Sequence, residues 1–140
     1  IATDHAPHLL SDKGKPYPYS PSGMPGVETS LPLMLTAMQE GKCDLAQIQK
    51  WMCSGPATLY GIPNKGAIRE GFDADLTLVN LDASKVVTDE EVFSKVKWSP
   101  FSGRALTGWP IYTIVGGNIV FDNGIVRNNV YGKALTYSSQ

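Results

Sequence analysis

Ile1-Ala2-Thr3-Asp4-His5-Ala6-Pro7-His8 is the stretch whose reading decides the fold. A short apolar run ends directly against an acid and two imidazoles, and His5 and His8 are the only 2 histidines of the chain. Ile1-Ala2-Thr3 reads as the end of a buried strand. Pro7 lacks a backbone donor, so the chain must leave the sheet within a few residues of Asp4. Polar chemistry is thereby concentrated at a strand's C-terminal end, the place where (β/α)8 barrels carry their catalytic groups.

Outward from this stretch, residues 5–26 are rich in Pro, Gly, Ser and Tyr, and Pro16, Pro18, Pro21 and Pro25 exclude a regular helix or central strand. A long loop of the kind that covers active sites is expected. Residues 28–41 then carry Leu31, Leu35 and Met38 at helical spacing, with Pro32 tolerable only in the first turn and Gly41 suited to the C′ position. Asp44 is expected to cap a second helix through Met52, with Leu45, Ile48, Trp51 and Met52 on its apolar face. Ser54 or Gly55 should cap a third, with Pro56 at N1 and Gly61 at its end. After Lys65 the period becomes that of strands. Residues 75–80 read as one strand, and 111–115 pairs with 118–121 through Gly116-Gly117; Asp122-Asn123-Gly124 turns into Ile125-Val126. Residues 89–97 allow one or two amphipathic turns.

A net charge of −1 with 18% charged residues offers no basic field for nucleic acid and no acidic tail. No apolar run approaches the roughly 20 residues of a membrane span. The expected partner is a small molecule or another part of the same protein. Cys43 and Cys53 lack CxxC spacing and read as two buried thiols of a reducing, cytoplasmic compartment. Ile1 has neither an initiator Met nor a leader and begins inside a strand, so an upstream part is expected.

On residue chemistry, a carboxylate such as Asp4 at a strand end can ligate a metal and exchange a proton with water whose pKa the metal lowers to near 7. It reads equally as a turn aspartate. His8, beyond Pro7, is free to turn back over the strand end and hold a substrate carboxylate, or to lie exposed on the loop. Alternation turns His5 to the other face, which favours a structural role over ligation. Gly23 permits close approach of a ligand to the backbone, although Ser22-Gly23 also reads as a plain turn. Gly116-Gly117 lacks the context of a phosphate loop. Trp51, Trp98 and Trp109 read as core or interface residues, and Arg69 and Glu70 as surface strand charges; Asp73 and Asp75 resemble a metal pair but read more simply as turn residues.

Asp4-His5-Ala6-Pro7-His8, with Ser22-Gly23-Met24-Pro25-Gly26-Val27-Glu28-Thr29, resembles the end of the catalytic barrel of the dihydroorotase family, within the amidohydrolase superfamily. The resemblance continues through residues 66–76, a segment common to many amidohydrolases, and through Ser99-Pro100-Phe101-Ser102-Gly103, and so reaches about Asn128. It implies an α/β chain: a C-terminal fragment of a metal-dependent (β/α)8 TIM-barrel hydrolase plus part of the flanking small β-sandwich domain. The implied division is residues 1–62 for the barrel end, 63–128 for the β-domain and 129–140 for a tail. It assigns Asp4 as metal ligand and catalytic acid and base, His8 as the holder of a substrate carboxylate, and Ser22 and Gly23 as backbone contacts to the substrate ring. The implied cofactor is zinc, two ions in the complete enzyme, with most ligands upstream.

The implied reaction is the reversible cyclisation of N-carbamoyl-L-aspartate to dihydroorotate in pyrimidine biosynthesis. Residues 1–140 alone are expected to be inactive without the N-terminal part of the enzyme. Relatives also suggest a homodimer. A related cyclic-amide hydrolase of the allantoinase or hydantoinase kind, and a non-catalytic dihydroorotase-like module, are the alternatives.

Overall fold

Helix α2, Ser30–Gln39, packs on strand β2, Ala105–Val115, and this contact joins the two halves of the chain. The structure is a computed structural model that describes residues 1–137. Leu35, Leu106 and Pro32 are its largest fully buried side chains. Gly108 has φ +93°, and a Cβ there would lie 2.5 Å from the Leu35 Cβ, so glycine lets β2 approach the helix. The Thr36 hydroxyl completes the join by accepting from the Thr107 N–H at 2.9 Å and donating to the Thr107 carbonyl at 3.1 Å.

The helical part follows local chemistry. Pro32 lies in the first turn of α2, where a missing N–H costs no helix bond. Gly41, φ +74°, ends the helix by donating to the Met38 carbonyl while Lys42 donates to that of Ala37, the paired bonds of a Schellman motif. Asp44 caps α3, Leu45–Gln49, in a reciprocal capping box with Gln47.

The expected break before Pro56 is replaced by a π-helical segment, Lys50–Ser54, that runs on into α4, Gly55–Leu59. Pro56 has no N–H to give the preceding turn, and a wider turn absorbs the missing bond. A Cβ on Gly55 would meet the Lys50 carbonyl oxygen at 2.4 Å, which fixes glycine at this junction. Of the expected apolar face of residues 45–52, only Ile48 is buried; Leu45 and Trp51 are exposed.

The sheet is antiparallel with order β1-β2-β3-β4: β1 Leu76–Val86, β2, β3 Asn118–Asp122 and β4 Ile125–Val126. Gly116 and Gly117, φ +55° and +81°, make the β2–β3 turn, and Asn123 and Gly124, φ +46° and +92°, the β3–β4 turn. Both pairs supply the two left-handed residues that two-residue hairpins need. Strand β1 outruns the expected residues 75–80, and the β1–β2 register shifts between Leu78 and Val79, beside Pro110, which cannot donate to a ladder.

Ile1-Ala2-Thr3, expected to lack its neighbouring barrel strand in this piece, pairs in no ladder among the described residues. Other expectations are corrected. The loop over residues 5–26 contains one helical turn, α1, Leu10–Lys13, in the proline-free stretch between Pro7 and Pro16. Arg69 and Glu70 lie in a turn closed by Phe72 N–H on the Arg69 carbonyl, not on a strand, and the Arg69 guanidinium sits over the Phe72 ring. Residues 89–91 form a 3-10 turn and 92–97 an irregular loop. Cys43 is half-buried and Cys53 exposed, both free. Residues 138–140 of the expected tail lie outside the described residues.

Candidate functional site

Asp4 has φ +43°, left-handed backbone that is uncommon for a residue with a side chain and best tolerated by Asp and Asn. The chain therefore turns sharply at Asp4. Its side chain is exposed, whereas His5 is half-buried. His5 Nδ1 accepts from the N–H of Gly26 at 3.1 Å and of Val27 at 3.3 Å. A ring nitrogen that accepts is unprotonated, so the ring proton of neutral His5 is on Nε2.

The segment after Asp4 lies against the returning end of the loop. His5 and Met24 form a parallel bridge, and the Ala6 N–H donates to the Met24 carbonyl at 3.1 Å. Gly23, φ +102°, fits only because it lacks a side chain: its Cβ would stand 2.6 Å from that of Ala6. The loop is drawn together by Lys13, whose Nζ donates to the Pro21 carbonyl at 2.6 Å, and by Ser20, whose hydroxyl donates to the Lys13 carbonyl at 3.0 Å. Asp4 and His8 thus sit on one segment and Ser22 and Gly23 on the segment strapped beside it. His8 is half-buried and Ser22 exposed.

Two residues of this neighbourhood were given no role at the site by the sequence. Glu28 accepts from the Phe93 N–H with one carboxylate oxygen and from the Ser94 N–H with the other, both at 2.8 Å. Trp98 donates from Nε1 to the His8 carbonyl at 2.8 Å. Glu28 stands within the Gly26-Val27-Glu28-Thr29 motif, but nothing in the sequence points it at residues 93 and 94. His5, Glu28, Thr29, Trp98 and Trp109 line a small cavity of about 50 Å³ between the loop and the sheet.

Away from this neighbourhood, Lys65 pairs with Asp73 at 2.9 Å and with Asp75. Asp75 also accepts from the Gly116 N–H at 2.7 Å, which ties the start of β1 to the β2–β3 hairpin. The hydrogen bond from Lys65, and then that from Gly116, hold the Asp75 carboxyl below its ordinary 3.8. The hydrogen bonds to Asp75 and Asp73 hold the Lys65 ammonium above its ordinary 10.5. Both aspartates serve the turn and the hairpin.

No group of three or more His, Cys, Asp and Glu side chains that could hold a metal occurs among the described residues. His5 Nδ1 is engaged by two backbone donors; the Asp4 carboxylate is exposed where the chain turns, and its chemistry fits a divalent ion as one member of a larger ligand set. No helix is long and apolar enough to cross a membrane among the described residues.

The model for the amidohydrolase family matches residues 1–120. A dihydroorotase of Methanosphaera stadtmanae is 40% identical over 131 residues, 94% of this chain and 30% of the relative. A dihydroorotase of Bacillus subtilis is 38% identical over 125 residues, 89% of this chain and 29% of the relative. Among solved structures, the L-hydantoinase (dihydropyrimidinase) of Arthrobacter aurescens is similar with a TM-score of 0.79 at 39% identity, covering 84% of this chain and 27% of its own. The dihydropyrimidinase of Brevibacillus agri gives 0.83 at 27% identity, covering 88% of this chain and 28% of its own. The chain spans less than a third of the length of these relatives. Members of the family are generally metal-dependent. This chain belongs to the amidohydrolase family, and its fold is a fragment of the family's TIM barrel joined to a small antiparallel sheet.

Proposed function

We propose that this chain is part of a dihydroorotase, in which it contributes the proton-transfer group and the substrate-holding loop. The observation that carries the reading is the left-handed Asp4, exposed where the chain turns away, with the Ser22-Gly23 segment strapped beside it. Curated relatives between 37% and 40% identical, among them those above, carry the name dihydroorotase. The domain division at residues 62 and 128 belongs to the same proposal, as do a cytoplasmic setting and a homodimer.

In the hydrolytic direction, water adds to the amide carbonyl carbon of dihydroorotate, the ring C–N bond breaks, and the nitrogen leaves with a proton. Asp4 takes the proton from the attacking water and delivers it to the departing nitrogen, so one carboxylate serves as base and then acid. Cyclisation of N-carbamoyl-L-aspartate runs the same transfers backwards. His8 donates to the substrate's free carboxylate, and the backbone at Ser22 and Gly23 faces its ring. Asp4 would hold in part a divalent metal, proposed as zinc, which when bound would make a water more acidic and polarise the carbonyl.

Asp4→Asn and Asp4→Ala in the complete enzyme test the proposal through steady-state rates with both substrates and a thermal melt. A fall of about 10²–10⁴-fold in both directions, with the melt preserved, is expected of a general acid and base. Retention of more than about a tenth of the rate would refute the role of Asp4. The hydantoinase likeness favours a second reading, a hydrolase of neutral cyclic amides. Turnover of a neutral ring in preference to dihydroorotate would select it, and a complete enzyme that turns over neither would select a non-catalytic module.

A further inference from the structure

We propose that Trp98 is a positioning residue for His8, so that the β1–β2 connection sets the imidazole that holds substrate. The inference rests on the reading of His8 as the group that binds the substrate carboxylate.

His8 follows Pro7, where the chain has left its bridge to Met24, and precedes a helical turn, α1, with no buried residue and no side-chain cap. No backbone–backbone hydrogen bond holds His8 among the described residues. The Trp98 indole supplies an anchor, through Nε1–H to the His8 carbonyl at 2.8 Å across 90 residues of sequence. An indole has one donor on a rigid ring, so the bond fixes a direction as well as a distance.

The backbone that carries the ring is held on both sides. Glu28 grips the amides of Phe93 and Ser94, the Ser94 carbonyl accepts from the Lys97 N–H at 3.0 Å, and Lys97 Nζ donates back to the Val92 carbonyl at 2.7 Å. On the other flank the buried Ser99 donates its N–H to Asp89 at 2.9 Å. Glu28, which follows the loop, thus fixes the connection that in turn fixes the loop's beginning. The circuit closes around the cavity shared by His5 and Trp98.

The test is made in the complete, metal-loaded enzyme. Trp98→Phe keeps a ring and removes the donor. Trp109→Phe is the control: it removes an indole bond of 3.0 Å to the Leu106 carbonyl beside the same cavity, with no link to His8. Trp98→Phe is expected to raise KM for dihydroorotate about three- to tenfold, with kcat within about twofold, as for one ordinary hydrogen bond. Trp109→Phe should leave KM unchanged. In a His8→Ala background, Trp98→Phe should add less than about a twofold change, since there is no imidazole left to position.

An unchanged KM in Trp98→Phe beside a raised KM in His8→Ala overturns the positioning role and leaves the reading of His8 intact. An unchanged KM in His8→Ala overturns both. An equal Trp98→Phe effect with and without His8 marks a purely structural tryptophan and also overturns the proposal. Site-specific 3-benzothienylalanine at position 98, in which sulfur replaces the N–H at nearly constant shape, serves if Trp98→Phe fails to fold.

Discussion

Replacing Gly23 by Ala should loosen the strap that holds the Asp4–His8 segment, and the structure sets the size of the effect. The backbone at Gly23 has φ +102°, which a side chain occupies at a cost of about 1–3 kcal/mol. The new Cβ would stand 2.6 Å from the Ala6 Cβ and 3.0 Å from the Ala6 carbonyl oxygen, well inside ordinary carbon contact. Overpacking of this kind costs about 1–3 kcal/mol more. The smaller unfolded-state entropy of Ala returns about 0.4–1 kcal/mol. The net loss is about 1–6 kcal/mol, whose upper end reaches the low end of the total stability of folded domains.

The relief available to the folded protein is a shift of Ala6, two residues from Asp4 and two from His8. Activity should therefore fall beyond what unfolding explains. The assay compares denaturant midpoints and dihydroorotate turnover for Gly23→Ala, Ala6→Gly and the double variant in the complete enzyme. Ala6→Gly removes the atom at 2.6 Å and should recover that part of the steric share, while leaving the contact with the residue 6 carbonyl oxygen and the backbone share. Stability of Gly23→Ala within about 0.5 kcal/mol of wild type, or no recovery in the double variant, would refute the reasoning.

Glu28→Ala strips the acceptors from the Phe93 and Ser94 amides and should cost about 1–3 kcal/mol, with faster hydrogen exchange at those two amides and unchanged exchange in β3. The Lys65–Asp75 link should make stability depend on pH at both ends. Asp75, lowered from 3.8 by Lys65 and the Gly116 N–H, contributes fully above 3.8 and loses its contribution as pH falls through its depressed value. Lys65, raised from 10.5 by the two aspartates, contributes fully below 10.5 and loses its contribution as pH rises through its elevated value. Asp75→Asn should then cost about 0.2–1 kcal/mol at pH 7, the range for a partly exposed pair, and less at low pH, as melts at pH 7 and pH 3 would show.

The sequence by itself determined what depends on neighbours within a few residues. The Schellman glycine at 41, the Asp44 capping box and the two hairpin turns at 116–117 and 123–124 all form where their residue types require, because each is a hydrogen bond or a left-handed backbone over two to five residues. The cluster of an acid and two imidazoles around Pro7 was legible for the same reason. Even locally, the competition between Pro56 and a continuing helix was settled by a π turn beneath Gly55, which composition does not announce.

Tertiary structure alone decided what crosses the chain. His5 is committed to backbone donors 21 and 22 residues away, Glu28 to amides 65 and 66 away, and the Trp98 indole to a carbonyl 90 away. Gly23 is fixed by Ala6, which only the folded loop brings within reach. These partners leave no periodic trace, since one directed hydrogen bond or one excluded Cβ needs a single residue at each end. Whether Ile1-Ala2-Thr3 is a strand is also a tertiary matter, because a strand exists only when another segment satisfies its backbone.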